Sequence, residues 1–336
     1  MKKSIEMFGI FKGKQVYRYT LENKKGLKIS VLSQAGILYE VSIPTQNGRR
    51  NLVLNYPKIN DYYENPFYVC MLIGLVAGRL SHGKFFLNSK EHCLQPNEGM
   101  NLLHGGKCGF SNVNWDGKIV DNKIVLKHSF GSETGFPGNV NVAVQYSLNE
   151  ENEISILFEA TTDEDTLFNP TLHVYWNLSS ARTIKDHNLK INSNEHLELA
   201  KDKLPTGRLL TNSTSPFDFS TSSSLGKSID NLQTTKEKGF DDIFLVKPEE
   251  NNLIATLDTA DISVDLYSDR NALVLFTANS FTDDMKLTLG SGHPWMGVAT
   301  EAQNLPDGIN QSNFPNNDIL FASKPRTEKI TYKVSF

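Results

Sequence analysis

Apolar and polar positions alternate along most of this chain. GLKISVLS and ILYEVSIPTQNGRRNLVLNY carry the two-residue period of strands around an Asn47-Gly48 turn, which predicts a hairpin. KFFLN runs into another short turn. Val140 to Leu148 alternates, breaks at Asn149-Glu150-Glu151-Asn152, and resumes from Ile154 to Phe158. NLIATLDTADISVDLYSD predicts a further hairpin, ALVLFTA a strand, and ITYKVSF a last strand. Helical periodicity is nearly absent, with one turn of helix expected near DYYEN at residue 61. Many short strands without interspersed helices predict an all-β fold, a large antiparallel β-sandwich or a barrel-like domain. STSPFDFSTSSSLGKS, residues 213–228, is serine-rich and expected as a surface loop. Strand patterning of one kind flanks it, so residues 1–336 are expected to form a single domain.

One strand asks a question. In TLHVYWNLS, residues 171–179, Leu172, Val174, Trp176 and Leu178 alternate with Thr171, His173, Tyr175, Asn177 and Ser179. The first set suits a sheet core. The second offers short, directional hydrogen-bonding groups where a solvated face prefers flexible charges. A ligand groove fits that composition better than an open surface.

Composition narrows the setting. The 336 residues are 39% hydrophobic and 21% charged, which is ordinary for a globular chain and unlike a disordered one. The net charge is -4 and no block of lysine and arginine stands out, so neither nucleic acid nor an anionic membrane is an expected partner. The longest apolar run, Phe67 to Val76, is short of the about 20 residues that span a bilayer. No signal-peptide pattern opens the chain. Cys70, Cys93 and Cys108 have neither metal spacing nor an even count, and a reduced cytoplasmic setting is expected.

Five places carry candidate chemistry. Arg79 follows the apolar run. His104 precedes Gly105 and Gly106, which let backbone come close to a ligand. His173 lies on the strand above. Asp241 and Asp242 sit between aromatics in GFDDIF, and Glu301 shares a strand face with Gln303 in VATEAQ. Each has a structural alternative: an ion pair for Arg79, satisfied buried histidines for His104 and His173, turn capping for the aspartates, a solvated strand edge for Glu301. No H-x-x-x-H or C-x-x-C spacing indicates a metal, no G-x-G-x-x-G or P-loop a nucleotide, and no G-x-S-x-G a serine hydrolase.

In order, these segments resemble the aldose 1-epimerase (galactose mutarotase) family. The resemblance runs through AGRLSHGKF, LQPNEGMNLLHGG, GFPGN, NPTLHVYWNLS, LPTGR, PFDF, FDDIF and TEAQNLPDGINQSNFP. LHGG, H-x-Y-x-N-L and E-x-Q-x-x-P-D are its specific parts. It implies a sandwich of the galactose mutarotase type and interconversion of the anomers of free hexoses without cofactor, by a monomer or homodimer. It further implies that Glu301 is the catalytic base, His173 the catalytic acid, and His104, Arg79 and Asp241 the groups that hold the monosaccharide. Trp176, Asp242 and His82 depart from common family residues, at positions where phenylalanine, histidine and asparagine are frequent. Two other readings bear on the same site. A hexose-phosphate epimerase would need a cationic phosphate site, and a non-catalytic sugar-binding module would have no need of the His173–Glu301 pair.

Overall fold

The computed structural model describes residues 1–179, 181–248, 250–315 and 317–336. Three large antiparallel sheets dominate it. The first is a meander of Lys2–Phe11, Lys14–Glu22, Lys28–Leu32, Leu38–Thr45 and Gly48–Asn51. Its last hairpin pairs Thr45 with Gly48, so Gln46 and Asn47 form the turn. The second sheet has nine strands. Asp116–Val120, Lys123–Phe130, Val140–Leu148 and Glu153–Thr162 lead to Arg326–Ser335, then to Ser263–Tyr267, Leu253–Asp258, Asn188–Ile191 and Ser223–Ser224. The C-terminal strand therefore joins two hairpin groups that are far apart in sequence. The third sheet runs Tyr175–Trp176, Val298–Gln303, Ala272–Phe276, Asp241–Leu245, Glu195–Leu199 and Pro205–Thr211.

Alternation decides the packing. Every second residue of Val140–Leu148 is buried, as the period predicts. Trp176 of the third sheet meets Tyr332 of the second edge-on at 5.2 Å, and the Tyr332 hydroxyl donates to the Thr300 carbonyl at 3.4 Å. These contacts knit two layers across one contiguous apolar core.

Two expectations need correction. The serine-rich stretch does not remain a loop to its end. Leu225–Asn231 is an α-helix, the only one among the described residues. The Ser224 side chain caps it by accepting from the Lys227 amide at 3.3 Å, and Leu225 and Ile229 bury its inner face. Seven residues make about two turns, too few for periodicity to reveal. TLHVYWNLS is likewise not one strand. Thr171–Leu172 pairs with Leu72–Ile73, Tyr175–Trp176 pairs with Val298–Gln303, and His173 and Val174 form the break between them. From Thr171 through Leu178 both faces are buried.

Candidate active site

That break gives His173 its place. Its backbone is held by the apolar run: the His173 amide donates to the Met71 carbonyl at 3.0 Å, and the Cys70 amide donates to the His173 carbonyl at 3.0 Å. The polar residues around it divide. The Thr171 hydroxyl donates to the Ala302 carbonyl, and the Asn177 amide donates to the carbonyls of Met296 and Ala181. Only His173 and Tyr175 of this series line a cavity of about 390 Å³. The polar face is thus divided: Thr171 and Asn177 satisfy backbone carbonyls, while His173 and Tyr175 face a ligand space.

Glu301 reaches the same cavity from Val298–Gln303, a strand buried at all six positions. Its Oε1 lies 3.3 Å from His173 Nε2. The His173 ring stacks on Tyr175 at 5.0 Å and meets His104 edge-on at 5.5 Å. Phe67, Tyr68 and Phe276 supply an apolar wall.

Backbone geometry explains the glycines of the two motifs. Gly78 has φ +72°, and a Cβ there would stand 2.7 Å from the Pro306 side chain. Gly105 has φ +76°, and its Cβ would stand 2.0 Å from the Gly74 carbonyl oxygen. Between them, the His104 amide donates to the Gly78 carbonyl and the Gly78 amide donates to His104 Nδ1, at 3.0 and 3.2 Å. Nδ1 is therefore an acceptor, and the neutral ring carries its proton on Nε2. Burial first, then His173 and Arg79, holds the His104 pKa well below the usual value, so the ring is a neutral donor near pH 7.

The same desolvation acts on the central pair. Burial, reinforced by Asp241, pushes the Glu301 carboxyl up to about 8, with Arg79 opposing. Burial pulls His173 down to about 4, against the pull of Asp241. Both shifts favour uncharged side chains. Glu301 Oε2, His173 Nδ1 and Gln303 Oε1 are buried without a hydrogen-bond partner. Such groups are uncommon in a folded interior, and three in one cavity lining mark a place for a polar ligand.

All five expected site residues line this cavity. The outer two come with partners that sequence reading did not find. Arg79 binds Glu98 through two bonds, Nε to Oε2 at 2.6 Å and Nη2 to Oε1 at 2.8 Å. Lys203 Nζ lies 3.1 Å from Asp241 and 3.0 Å from Glu237. Glu98 was within sight, inside the LQPNEGMN segment, but Lys203 and Glu237 meet only through the fold. Asp242 points elsewhere. Its Oδ2 accepts from the Asp241 amide at 2.9 Å, and burial raises its carboxyl to about 6. His104, His173 and Glu301 also bring ligand atoms within 4.8 Å of one another, a donor set able to hold a metal ion. Three distant segments build it, so chain spacing gives no sign of it.

The class emerges first from the fold. A galactose 1-epimerase structure from Lactobacillus acidophilus NCFM superimposes with a TM-score of 0.85 at 25% identity, covering 99% of this chain and 98% of that one. The molecule is thus a sandwich protein of the galactose mutarotase type. The aldose 1-epimerase family description matches residues 17–333, and the chain belongs to that family of isomerases. A maltose epimerase from Levilactobacillus brevis is 35% identical over 333 residues, 97% of this chain and 96% of its own. An aldose 1-epimerase from Streptococcus thermophilus is 33% identical and covers 100% of this chain and 98% of its own.

Proposed function

We propose that the protein interconverts the α and β anomers of free aldohexoses such as galactose and glucose, with Glu301 and His173 as the acid–base pair. The observation that carries this reading is the buried carboxyl–imidazole contact at 3.3 Å, flanked by unpartnered polar atoms. In ring opening, Glu301 takes the proton of the anomeric hydroxyl while His173 gives one to the ring oxygen. The C–O bond breaks, and an aldehyde and a free hydroxyl result. Rotation about the adjoining bond presents the other face, and closure returns both protons. The opening step leaves a carboxylic acid and a neutral imidazole, the two forms that burial favours. The step starts from carboxylate and imidazolium, the charge-separated form that burial makes the minor one in the resting site, and relaxes to the neutral pair as the ring opens. His104 Nε2–H is placed to donate to the ring oxygen or a neighbouring hydroxyl. Arg79 and Asp241 hold hydroxyls farther round the ring.

Optical rotation of freshly dissolved α-glucose and α-galactose, with and without the protein, tests the reading directly. Unchanged rates for every free aldose tried would end it. The phosphate-sugar alternative finds little support at the mouth. Arg79 and Lys203 face Glu98, Glu237 and Asp241, so both cations are already balanced.

Two further results are expected. Arg79→Ala and Asp241→Ala raise KM roughly tenfold or more with a smaller change in turnover, since each removes a charged hydrogen bond present before and during the reaction. A change confined to turnover would remove the residue from the binding set. Treatment with EDTA leaves the rate unchanged, because the proposed proton exchange needs only the two side chains. A loss restored by zinc would instead make His104, His173 and Glu301 a metal centre.

A further inference from the structure

Between Glu195–Leu199 and Pro205–Thr211 the chain turns back through Ala200, Lys201, Asp202 and Lys203. The turn is tight. The Lys203 amide donates to the Ala200 carbonyl at 2.9 Å, and the Ala200 amide donates to the Leu204 carbonyl at 2.9 Å. It carries the Lys203 side chain to the wall of the reaction cavity, where Asp241 and Glu237 also stand. Asp241 opens the strand Asp241–Leu245. Glu237 comes from elsewhere, the loop that follows the helix Leu225–Asn231. That loop is held where the Thr235 amide donates to the Leu232 carbonyl at 2.9 Å and where Trp295 Nε1 donates to the Lys238 carbonyl at 3.0 Å.

One ammonium thus stands between two carboxylates anchored on separate elements, 3.1 Å from Asp241 and 3.0 Å from Glu237. Only 19% of the Lys203 side chain is exposed, so its charge persists because anions face it. Burial works against that charge, but Asp241 and Glu237 more than offset it and raise the Lys203 pKa. Among the described residues Lys203 is the only ion-pair partner of either carboxylate. Without it two like charges face one another across the space it fills, and Asp241 is free to swing toward solvent. A hydrogen bond to a hydroxyl is directional, so an acceptor held in place binds a sugar better than one that must be ordered on binding.

We propose that Lys203 is a positioning residue for sugar binding: braced by Glu237, it holds the Asp241 carboxylate in the orientation that accepts a hydroxyl of the aldose. It acts through Asp241 and takes no part in the proton exchange, which belongs to Glu301 and His173. This rests on the mutarotase reading above and on the binding role given there to Asp241.

Polarimetry of freshly dissolved α-glucose and α-galactose measures it. Lys203→Met keeps an unbranched apolar stem and removes the charge. It is expected to raise KM about tenfold with kcat within about threefold of the parent, and Lys203→Arg is expected to recover most of the loss. Glu237→Gln, which removes the brace alone, is expected to raise KM about threefold. A double variant decides between positioning and contact. Lys203→Met added to Asp241→Asn is expected to raise KM no more than about twofold beyond Asp241→Asn alone, because the lysine acts only through the aspartate. Losses that multiply would make Lys203 a sugar contact and overturn the proposal. So would an unchanged KM in Lys203→Met, or a fall in kcat and in thermal midpoint that arginine does not recover. Should Lys203→Met fail to fold, Glu237→Gln decides in its place: an effect on KM that survives intact in the Asp241→Asn background would overturn the proposal. An Asp241→Asn protein with the parent KM would overturn it too, by removing the binding role beneath it, and would leave the mutarotase reading intact. No turnover of any free sugar would instead remove that reading itself.

Discussion

Glu301→Gln is expected to lower turnover by at least about a hundredfold, the low end for loss of one general acid–base group. The substitution keeps the size of the side chain and removes only its proton chemistry. The strand should tolerate it, because Gln303 already places an amide on the same face two residues on. Sugar affinity should change little, since an amide still accepts and donates hydrogen bonds. His173→Asn is expected to cause a similar loss through the other half of the exchange. The double variant should fall far short of the product of the two losses, because the pair serves one concerted step. Polarimetry on purified proteins measures all three. A Glu301→Gln protein that interconverts anomers near the parent rate would show that this carboxyl is not the base.

How much of this was legible beforehand depended on the range of the forces involved. Strands such as Val140–Leu148 show themselves because one buried face imposes a two-residue period on the chain. The family resemblance singled out five residues, and all five line one cavity. Their partners were not legible. Glu98 pairs with Arg79 across 19 positions, and Lys203, between Glu195–Leu199 and Pro205–Thr211, meets Asp241 at the start of its strand only once the third sheet has formed. The character of TLHVYWNLS was half legible. Its alternation is real, but a strand buried on both faces spends Thr171 and Asn177 on carbonyls of neighbouring segments. Nor did chain spacing hint at the convergence of His104, His173 and Glu301, which tertiary contact alone creates.

The pH dependence should carry the mark of burial rather than of ordinary side chains. A carboxylate with an ordinary pKa would define the acid limb of the activity profile. In the folded site the carboxyl is raised to about 8 and the imidazole lowered to about 4. Between these values the pair holds one proton, whichever partner carries it, and one proton is what the exchange needs. Below about 4 a second proton removes the base. Above about 8 the last proton leaves and no acid remains. The profile of kcat/KM should therefore be a broad plateau falling about tenfold per pH unit beyond each end, with both limbs belonging to the pair. In Glu301→Gln the alkaline limb should vanish from the residual activity. Stability gives an independent readout. A carboxyl raised from 4.5 to about 8 stabilises the fold below its ordinary value relative to high pH, and that contribution drains away as pH rises toward about 8. His173, lowered from 6.5 to about 4, acts oppositely, and its contribution is lost as pH falls from 6.5. The two slopes cancel between 4.5 and 6.5, so the carboxyl stands alone from 6.5 to about 8. There the parent should lose up to about 1.4 kcal/mol per pH unit relative to Glu301→Gln. Urea midpoints of the two proteins at pH values across that window measure it. Parallel curves would mean that Glu301 is ionised in the folded protein, and that the neutral pair is not the resting state of the site.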